Sequence, residues 1–170
     1  MRAKLWRVRL DALVPAGLKR VAIAWAGRPT HNNDHQRTIT LETLAPLFEV
    51  PGIALISVQK GPAVAQIAGY TGTAPLIDLD AQIVDFEDTI AVLDAVDLVI
   101  SVDTSVAHFA GALGRPAWVM VPFAPDWRWM VGRTDTPWYP SLRLFRHPQP
   151  KRWDIVVPQV ADALRAFVGA

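Results

Sequence analysis

The sequence predicts one α/β domain, a doubly wound parallel sheet of about six strands with helices on both faces. Short apolar runs alternate with segments whose apolar residues recur at helical spacing, which is typical of βαβ units. The 170 residues suffice for one hydrophobic core of ordinary size. Several apolar runs end in polar loops, as strands do at the ligand-binding edge of such a sheet.

Strands are predicted at 21–25, 53–58, 76–79, 98–102, 117–121 and 142–145. Helices are predicted at 41–49, 63–68, 86–95 and 104–113, followed by a last helix that ends near Phe167. Pro158 is expected in the first turn of that last helix, where a missing N–H is tolerated. The opening residues form a further helix to about Leu13. We therefore divide the chain into an N-terminal helix and linker at 1–17 and one domain at 18–170.

The composition excludes several classes of protein. The chain has 51% hydrophobic residues, but no apolar run approaches the roughly 20 residues that span a bilayer. Basic residues interrupt the first ten positions, so we expect no secretory signal and a cytoplasmic location. The absence of cysteine excludes disulfides and thiolate metal sites, and a net charge of +1 does not favour nucleic acid as a partner. His31, Asp34 and His35 crowd one loop without a clear further ligand, so we expect no metal site.

The most informative segment lies between residues 98 and 116, where an apolar strand runs into a helix with a polar first turn. Gly114 stands where a left-handed C-cap residue is expected. Asp103, Thr104 and Ser105 either cap the free N–H groups of this helix or help to hold a phosphate there. His108 follows one turn after Thr104 on the same face, and is either an ordinary surface histidine or part of the site.

The first strand ends in a long polar loop, where compact folds normally use about two to six residues. Gly27 permits a sharp turn in this loop. Arg28 and Arg37 either extend into solvent or reach an anion at the carboxyl edge of the sheet, because guanidinium offers paired donors to phosphate oxygens.

Later loops add weaker candidates. Lys60 follows the second strand and either remains an exposed turn lysine or approaches a phosphate or sugar hydroxyl. Asp85 with Asp88 predicts a helix cap. Asp126 and Trp127 lie in an aromatic-rich segment that either packs or forms the edge of a sugar or acceptor site.

Five segments in this order carry a resemblance to a known group of enzymes: 24–27 with 33–37, 57–61, 85–89, 100–108 and 125–129. They resemble the donor-binding half of bacterial glycosyltransferases, above all the catalytic segment of tetratricopeptide-repeat glycosyltransferases. These enzymes are related to the heptosyltransferases of glycosyltransferase family 9 and, more distantly, to O-linked N-acetylglucosamine transferases. The resemblance covers residues 18–168.

The resemblance implies the C-terminal, donor-binding domain of a GT-B enzyme: one of two Rossmann-like domains that face a cleft. The donor would be a nucleotide-diphosphate sugar, with UDP as the first guess, and neither metal nor cofactor would be needed. By this resemblance Arg37, Asp103 and Thr104 bind the donor diphosphate, and His108 lies near the ribose or phosphates. From their places at the same edge of the sheet we add Ser105 to the diphosphate site, and Gly27 and Lys60 as contacts to the ribose, phosphates or other donor atoms. Heptosyltransferases carry glycine where Ser105 stands. The Ser105 backbone N–H can still donate to a phosphate, so the departure is mild, although a side chain here leaves less room for the close approach that glycine allows.

The implied activity is hexosyl or heptosyl transfer, completed by an N-terminal acceptor domain or a partner chain that supplies the catalytic base. An apolar patch around Trp153 and the N-terminal helix would favour a homo-oligomer. Two alternatives remain: a module that binds nucleotide or sugar without catalysis, and a GT-B-like sugar-nucleotide epimerase that uses His108 as acid or base. A dinucleotide oxidoreductase is disfavoured, because Arg28 and Pro29 follow Gly27 where G-x-G-x-x-G would continue.

Overall fold

A computed structural model describes residues 2–169 and contains a six-stranded, fully parallel sheet in the order β3-β2-β1-β4-β5-β6. The strands are β1 (Lys19–Ala24), β2 (Ile53–Ser57), β3 (Leu76–Asp78), β4 (Leu98–Val102), β5 (Ala117–Val121) and β6 (Leu142–Arg146). This is the doubly wound order, in which the direction of winding reverses between β1 and β4. The predicted fold class and all six predicted strands are confirmed, with ends that differ by at most two residues.

The α-helices are α1 (Arg2–Leu13), α2 (Asp34–Arg37), α3 (Ala45–Phe48), α4 (Phe86–Asp94), α5 (Ser105–Ala112) and α6 (Trp153–Val168). Short 3-10 helices form at Glu42–Leu44, Pro62–Gly69 and Trp127–Trp129. The single helix predicted at 41–49 is wrong. Pro46 has no N–H to donate to the carbonyl of Glu42, so this segment splits into a 3-10 turn and α3.

The core has two layers, one on each face of the sheet. Strands β2, β4 and β5 are buried along their whole length, as the central strands of a parallel sheet must be. Alternate residues of β1 point to opposite layers: Ala22 packs beneath α1, α4 and α5, whereas Val21 and Ile23 pack beneath α3 and α6. Each fully buried Val, Leu or Ile contributes about 1.5–3 kcal/mol, so burial on both faces stabilises the sheet that carries the loops at its edges.

The N-terminal helix α1 is confirmed, and it packs against α4 as part of the first layer. Trp6 and Leu10 are fully buried, and the Trp6 indole N–H donates to Asp88 Oδ1 at 3.1 Å. The division of the chain at residue 18 stays a prediction. Its two segments begin at Met1 and end at Ala170, and these two residues lie outside the described range.

Two expectations about the C-terminal helix are wrong. The helix begins at Trp153, so Pro158 lies beyond its first turn. The buried stripe that includes Val156, Val157 and Val160 stabilises the helix in spite of the missing N–H. Trp153 also packs in the layer opposite α1, so the two do not form one apolar patch. Among residues 2–169, no helix is long and apolar enough to cross a bilayer.

Candidate functional site

The candidate site lies where β1 and β4 end side by side at the carboxyl edge of the sheet. These strands pair directly, with Ala24 opposite Ser101. The chain leaves β1 through a loop toward α2, and leaves β4 through Asp103 and Thr104 toward α5. The connections that follow β1 and β4 go to opposite faces of the sheet. The two loops therefore separate and leave a crevice for a ligand.

The N-terminus of α5 has no side-chain cap. Thr104 occupies the cap position with extended backbone, but its hydroxyl makes no capping hydrogen bond to the helix. Its Oγ1 instead lies 3.1 Å from the hydroxyl of Ser101. The free amide groups and the positive end of the helix dipole therefore remain available to an anion. The predicted left-handed glycine at the other end is confirmed, since Gly114 has φ +66°.

Arg37 brings positive charge to this helix start. Its Nη1 donates to the carbonyl of Asp103 at 2.8 Å, and its Nε donates to Asp34 Oδ1 at 3.3 Å. Only 12% of the Arg37 side chain is exposed. A Cβ at Gly27 would lie 2.4 Å from Asp34 Oδ1 and 2.7 Å from Arg37 Nη2. The absence of a side chain at Gly27 thus makes room for the Asp34–Arg37 pair at this edge.

Two cavities meet at Arg37, Thr104 and Ser105, which line both of them. The first, of about 670 Å³, lies between the ends of β1 and β2 and is lined in addition by Gly27, Lys60, Val58, Phe86 and Phe109. The second, of about 630 Å³, lies toward β5 and is lined in addition by His31, Asn33, His108, Asp126, Arg128 and Tyr139. Three of the four predicted diphosphate-binding residues thus stand at the boundary of the two cavities.

His108 is held inside the second cavity. Its Nδ1 lies 3.2 Å from the Tyr139 hydroxyl, and its ring stacks on Trp129 with 5.2 Å between centroids. Burial lowers the pKa of His108, and the nearby Arg128 lowers it further, against the opposing effect of Asp103 and Asp126. The lowered pKa favours the neutral form of the ring.

Asp126 and Arg128 form an ion pair at the mouth of the second cavity, with Arg128 Nη1 2.8 Å from Asp126 Oδ1. Partial burial raises the pKa of Asp126, but hydrogen bonds from the Arg128 amide and guanidinium outweigh this and lower it. Trp127 is 66% exposed, lies edge-on to Trp138 and stacks against the Arg128 guanidinium at 4.8 Å. Trp127 lines neither cavity, although its chain neighbours Asp126 and Arg128 line the second.

Lys60 shares the first cavity with Arg37, and each of the two cations has a carboxylate partner, Asp80 for Lys60 and Asp34 for Arg37. The Lys60 ammonium lies 2.6 Å from the Asp80 carboxylate and also donates to the backbone carbonyls of Asp80 and Ile83. Arg28 lines the same cavity as an exposed side chain. Of these three cations, Arg37 is the one that contacts the start of α5.

Sequence reasoning missed two side chains that organise the site. Gln59 accepts hydrogen bonds from the amides of Trp25 and Ala26 at 2.9 Å and so fixes the end of β1. The available signal was a glutamine directly after the predicted strand at 53–58. Tyr139 contacts His108 from 31 residues away, and no local spacing indicates that contact.

The loop histidines do not gather ligands for a metal. Asp34 bonds to Arg37, and His31 Nδ1 accepts from the Asn33 amide at 3.2 Å. Within the part of the chain that the structure describes, no group of three or more histidine and carboxylate side chains is placed to hold a metal ion.

Comparisons with known proteins agree with this architecture. The sequence model of Glycosyltransferase family 9 (heptosyltransferase) matches residues 81–119, which include α4, β4 and α5. Protein FlbA of Caulobacter vibrioides is 30% identical over 172 residues, covering 97% of this chain and 28% of FlbA. The chain thus spans little more than a quarter of that curated relative.

Two solved structures share the fold. ADP-heptose LPS heptosyltransferase II of E. coli superposes with a TM-score of 0.70 at 14% identity, covering 98% of this chain and 51% of that enzyme. The glycosyl transferase family 9 protein of Veillonella parvula superposes with a TM-score of 0.67 at 14% identity, covering 96% and 51%. The chain therefore has a glycosyltransferase-like fold that corresponds in extent to about half of each of these proteins.

Proposed function

We propose that this chain is the donor-binding part of a glycosyltransferase and holds the diphosphate of a nucleotide sugar where β4 meets α5. The observation that carries the proposal is the uncapped start of α5 with the Arg37 guanidinium beside it, at the boundary of two cavities. The match to glycosyltransferase family 9 includes this helix start and supports the assignment.

The two cavities suit the two ends of such a donor. The first is walled by Val58, Phe86 and Phe109, apolar side chains that suit the face of a nucleobase. The second carries His108, Asp126 and Arg128, polar groups that suit sugar hydroxyls. A diphosphate bound at Thr104, Ser105 and Arg37 would join the two parts.

The chemistry of transfer needs what this boundary offers. When a glycosyl group leaves, negative charge develops on the nucleotide diphosphate. The amides and dipole of α5, with the Arg37 guanidinium, would stabilise that charge without reorganising. Asp103 contributes through its backbone carbonyl, which fixes Arg37, because its carboxylate would repel the ligand.

The acceptor side lies outside this chain in our proposal. In this proposal the chain is the C-terminal, donor-binding half of a tetratricopeptide-type enzyme. It covers 51% of each of the two solved structures, which agrees in extent with one half of such an enzyme. A second domain or a partner chain would bind the acceptor and supply the catalytic base. Trp127 and Asp126 would then face that second part across the cleft.

Calorimetry with UDP, ADP and GDP tests the proposal. We expect at least one of them to bind, and Arg37→Ala to weaken binding by about 10-fold or more, because hydrogen bonds to charged groups contribute about 1.5–3 kcal/mol. Arg165→Ala on α6 is the matched control, since the exposed Arg165 pairs with the exposed Asp162 and lines neither of the two cavities. The proposal fails if none of the three nucleotides binds, or if the two variants bind equally well.

A further inference from the structure

The contact between His108 and Tyr139 has a chemical consequence for the second cavity. His108 Nδ1 and the Tyr139 hydroxyl lie 3.2 Å apart, and within residues 2–169 neither the hydroxyl nor His108 Nε2 makes another hydrogen bond. The imidazole therefore has one nitrogen engaged by the phenol and one nitrogen without a protein partner. Both side chains line the cavity together with Thr104 and Ser105.

Tyr139 packs on α5 at Gly111, where the helix has no side chain. A Cβ at Gly111 would lie 2.4 Å from Tyr139 Cγ, 2.5 Å from Cδ1 and 2.9 Å from Cβ, so the phenol ring packs directly on the helix backbone. Glycine inside a helix costs stability relative to alanine, and this packing accounts for its presence.

His108 is also confined on its second side. Trp129, which is fully buried, stacks on the imidazole with 22° between the ring planes. Tyr139 meets the same imidazole edge-on, at 5.7 Å between centroids. The ring cannot rotate freely between these two neighbours, so the tautomer decides what it offers to a ligand.

The hydrogen bond can be made in two ways. Either the phenol donates to Nδ1, or Nδ1–H donates to the phenol oxygen. Each arrangement leaves one proton without a protein acceptor within residues 2–169, Nε2–H in the first and the phenol O–H in the second. An imidazole nitrogen is a better acceptor than a phenol oxygen, so the first arrangement gives the stronger hydrogen bond. In a neutral imidazole whose Nδ1 accepts, the proton sits on Nε2.

We propose that Tyr139 is a positioning residue that holds His108 as the Nε2–H tautomer, so that His108 presents a hydrogen-bond donor to an oxygen of the bound ligand. The tautomer is inferred from the geometry of the protein without a ligand, whereas the identity of the ligand rests on the proposed function. In this state Nε2 has no lone pair with which to take a proton. The role of His108 is therefore donation to the donor substrate, and the acid–base role of an epimerase does not fit it.

Long-range ¹H–¹⁵N NMR of the ligand-free chain at about pH 8, where histidine is neutral, measures the tautomer directly. The His108→Asn spectrum assigns the signals. We expect an Nε2–H pattern in the wild type and a mixture of tautomers in Tyr139→Phe, which keeps the ring on Gly111 and removes the hydroxyl. Tyr70→Phe is the matched control, because the Tyr70 hydroxyl donates to the Ala74 carbonyl elsewhere in the fold.

A second arm measures the binding of UDP-glucose, whose sugar would reach the second cavity, to the same variants. Tyr139→Phe is expected to weaken binding several-fold, whereas Tyr70→Phe leaves it unchanged. An Nδ1–H pattern in the wild-type spectrum, or a tautomer that Tyr139→Phe leaves unchanged, would overturn the proposal. If Tyr139→Phe does not fold, the wild-type spectrum alone decides. Absence of nucleotide binding with the expected tautomers would overturn the proposed function alone.

Discussion

Helices α4 and α5 lie side by side on the same face of the sheet, yet their N-termini are completed in different ways. At α4 the Asp85 carboxylate accepts the Asp88 amide at 2.8 Å and also pairs with Arg2. At α5 no side chain caps the first turn, and a guanidinium stands beside it. The protein thus satisfies one helix start with its own carboxylate and leaves the other available to an external anion.

This difference also separates stability from binding. The cap at α4 contributes to holding α1 and α4 together, because Arg2 belongs to α1. The open start of α5 contributes little to the fold, since its amides remain unpartnered by side chains. Substitutions that exchange the two arrangements are the sharpest way to test whether the open start is the ligand site.

The largest effect is expected from giving α5 a cap like that of α4. Thr104→Asp places a carboxylate at the helix start, where it satisfies the free amides and repels an incoming diphosphate. We expect unchanged or increased thermal stability and a loss of UDP binding of about 100-fold, because like charges in contact cost several kcal/mol. Thr104→Ser, which keeps a hydroxyl, is the control for calorimetry. Equal affinity of the two variants would show that the anion binds elsewhere.

A smaller loss is expected when Arg37 is displaced and its charge is kept. In Gly27→Ala the new methyl group collides with the Asp34–Arg37 pair, so the guanidinium must move away from Asp103. We expect UDP binding to weaken by about 10-fold, the equivalent of one charged hydrogen bond. Gly69→Ala is a suitable control for calorimetry, since a Cβ there meets nothing within 4 Å. If Gly27→Ala binds like Gly69→Ala, the position of Arg37 is not important for the site.

The smallest effect concerns the capped helix. Asp85→Ala is expected to lower the thermal midpoint by a few degrees and to leave UDP binding unchanged, whereas Thr104→Ala leaves the midpoint unchanged. The hydrogen bond from Arg2, followed by that from the Asp88 amide, lowers the pKa of Asp85 below its usual 3.8. Its stabilising effect is therefore present above about pH 3.8 and is lost as the pH falls through the lower, folded value.

Melting curves of wild type and Asp85→Ala at several pH values test this point. The difference between their midpoints should be constant near neutral pH and shrink in acid below pH 4. A difference that is the same at all pH values would mean that the Asp85 charge does not stabilise α4.

Much of the fold could be predicted because its signals are local. Buried parallel strands are continuous apolar runs, and the left-handed Gly114 and the Asp85 cap depend on residues within one helical turn. The errors arose where tertiary packing outweighed a local rule. Pro158 is tolerated inside α6 because the helix buries a long apolar stripe, and α1 and Trp153 were placed in opposite layers by the topology.

The site was predictable only in part for the same reason. The polar start of α5 could be predicted, because it comes directly after the apolar run of β4 in the sequence. The position of Arg37 required the knowledge that β1 and β4 pair, which the doubly wound order supplies. The contact of Tyr139 with His108 depends on how the segment after β5 returns over α5, and on the glycine at position 111 that admits the ring.

The central claim is that the open start of α5 binds the diphosphate. The most direct measurement is an amide NMR titration of the assigned wild-type chain with UDP. We predict that the amides of Ser105 and Val106 and the Arg37 guanidinium shift in a saturable way, while those of Glu87 and Asp88 at the capped start of α4 do not. Saturable shifts confined to α4, or UDP binding that leaves the first turn of α5 unperturbed, would contradict the claim.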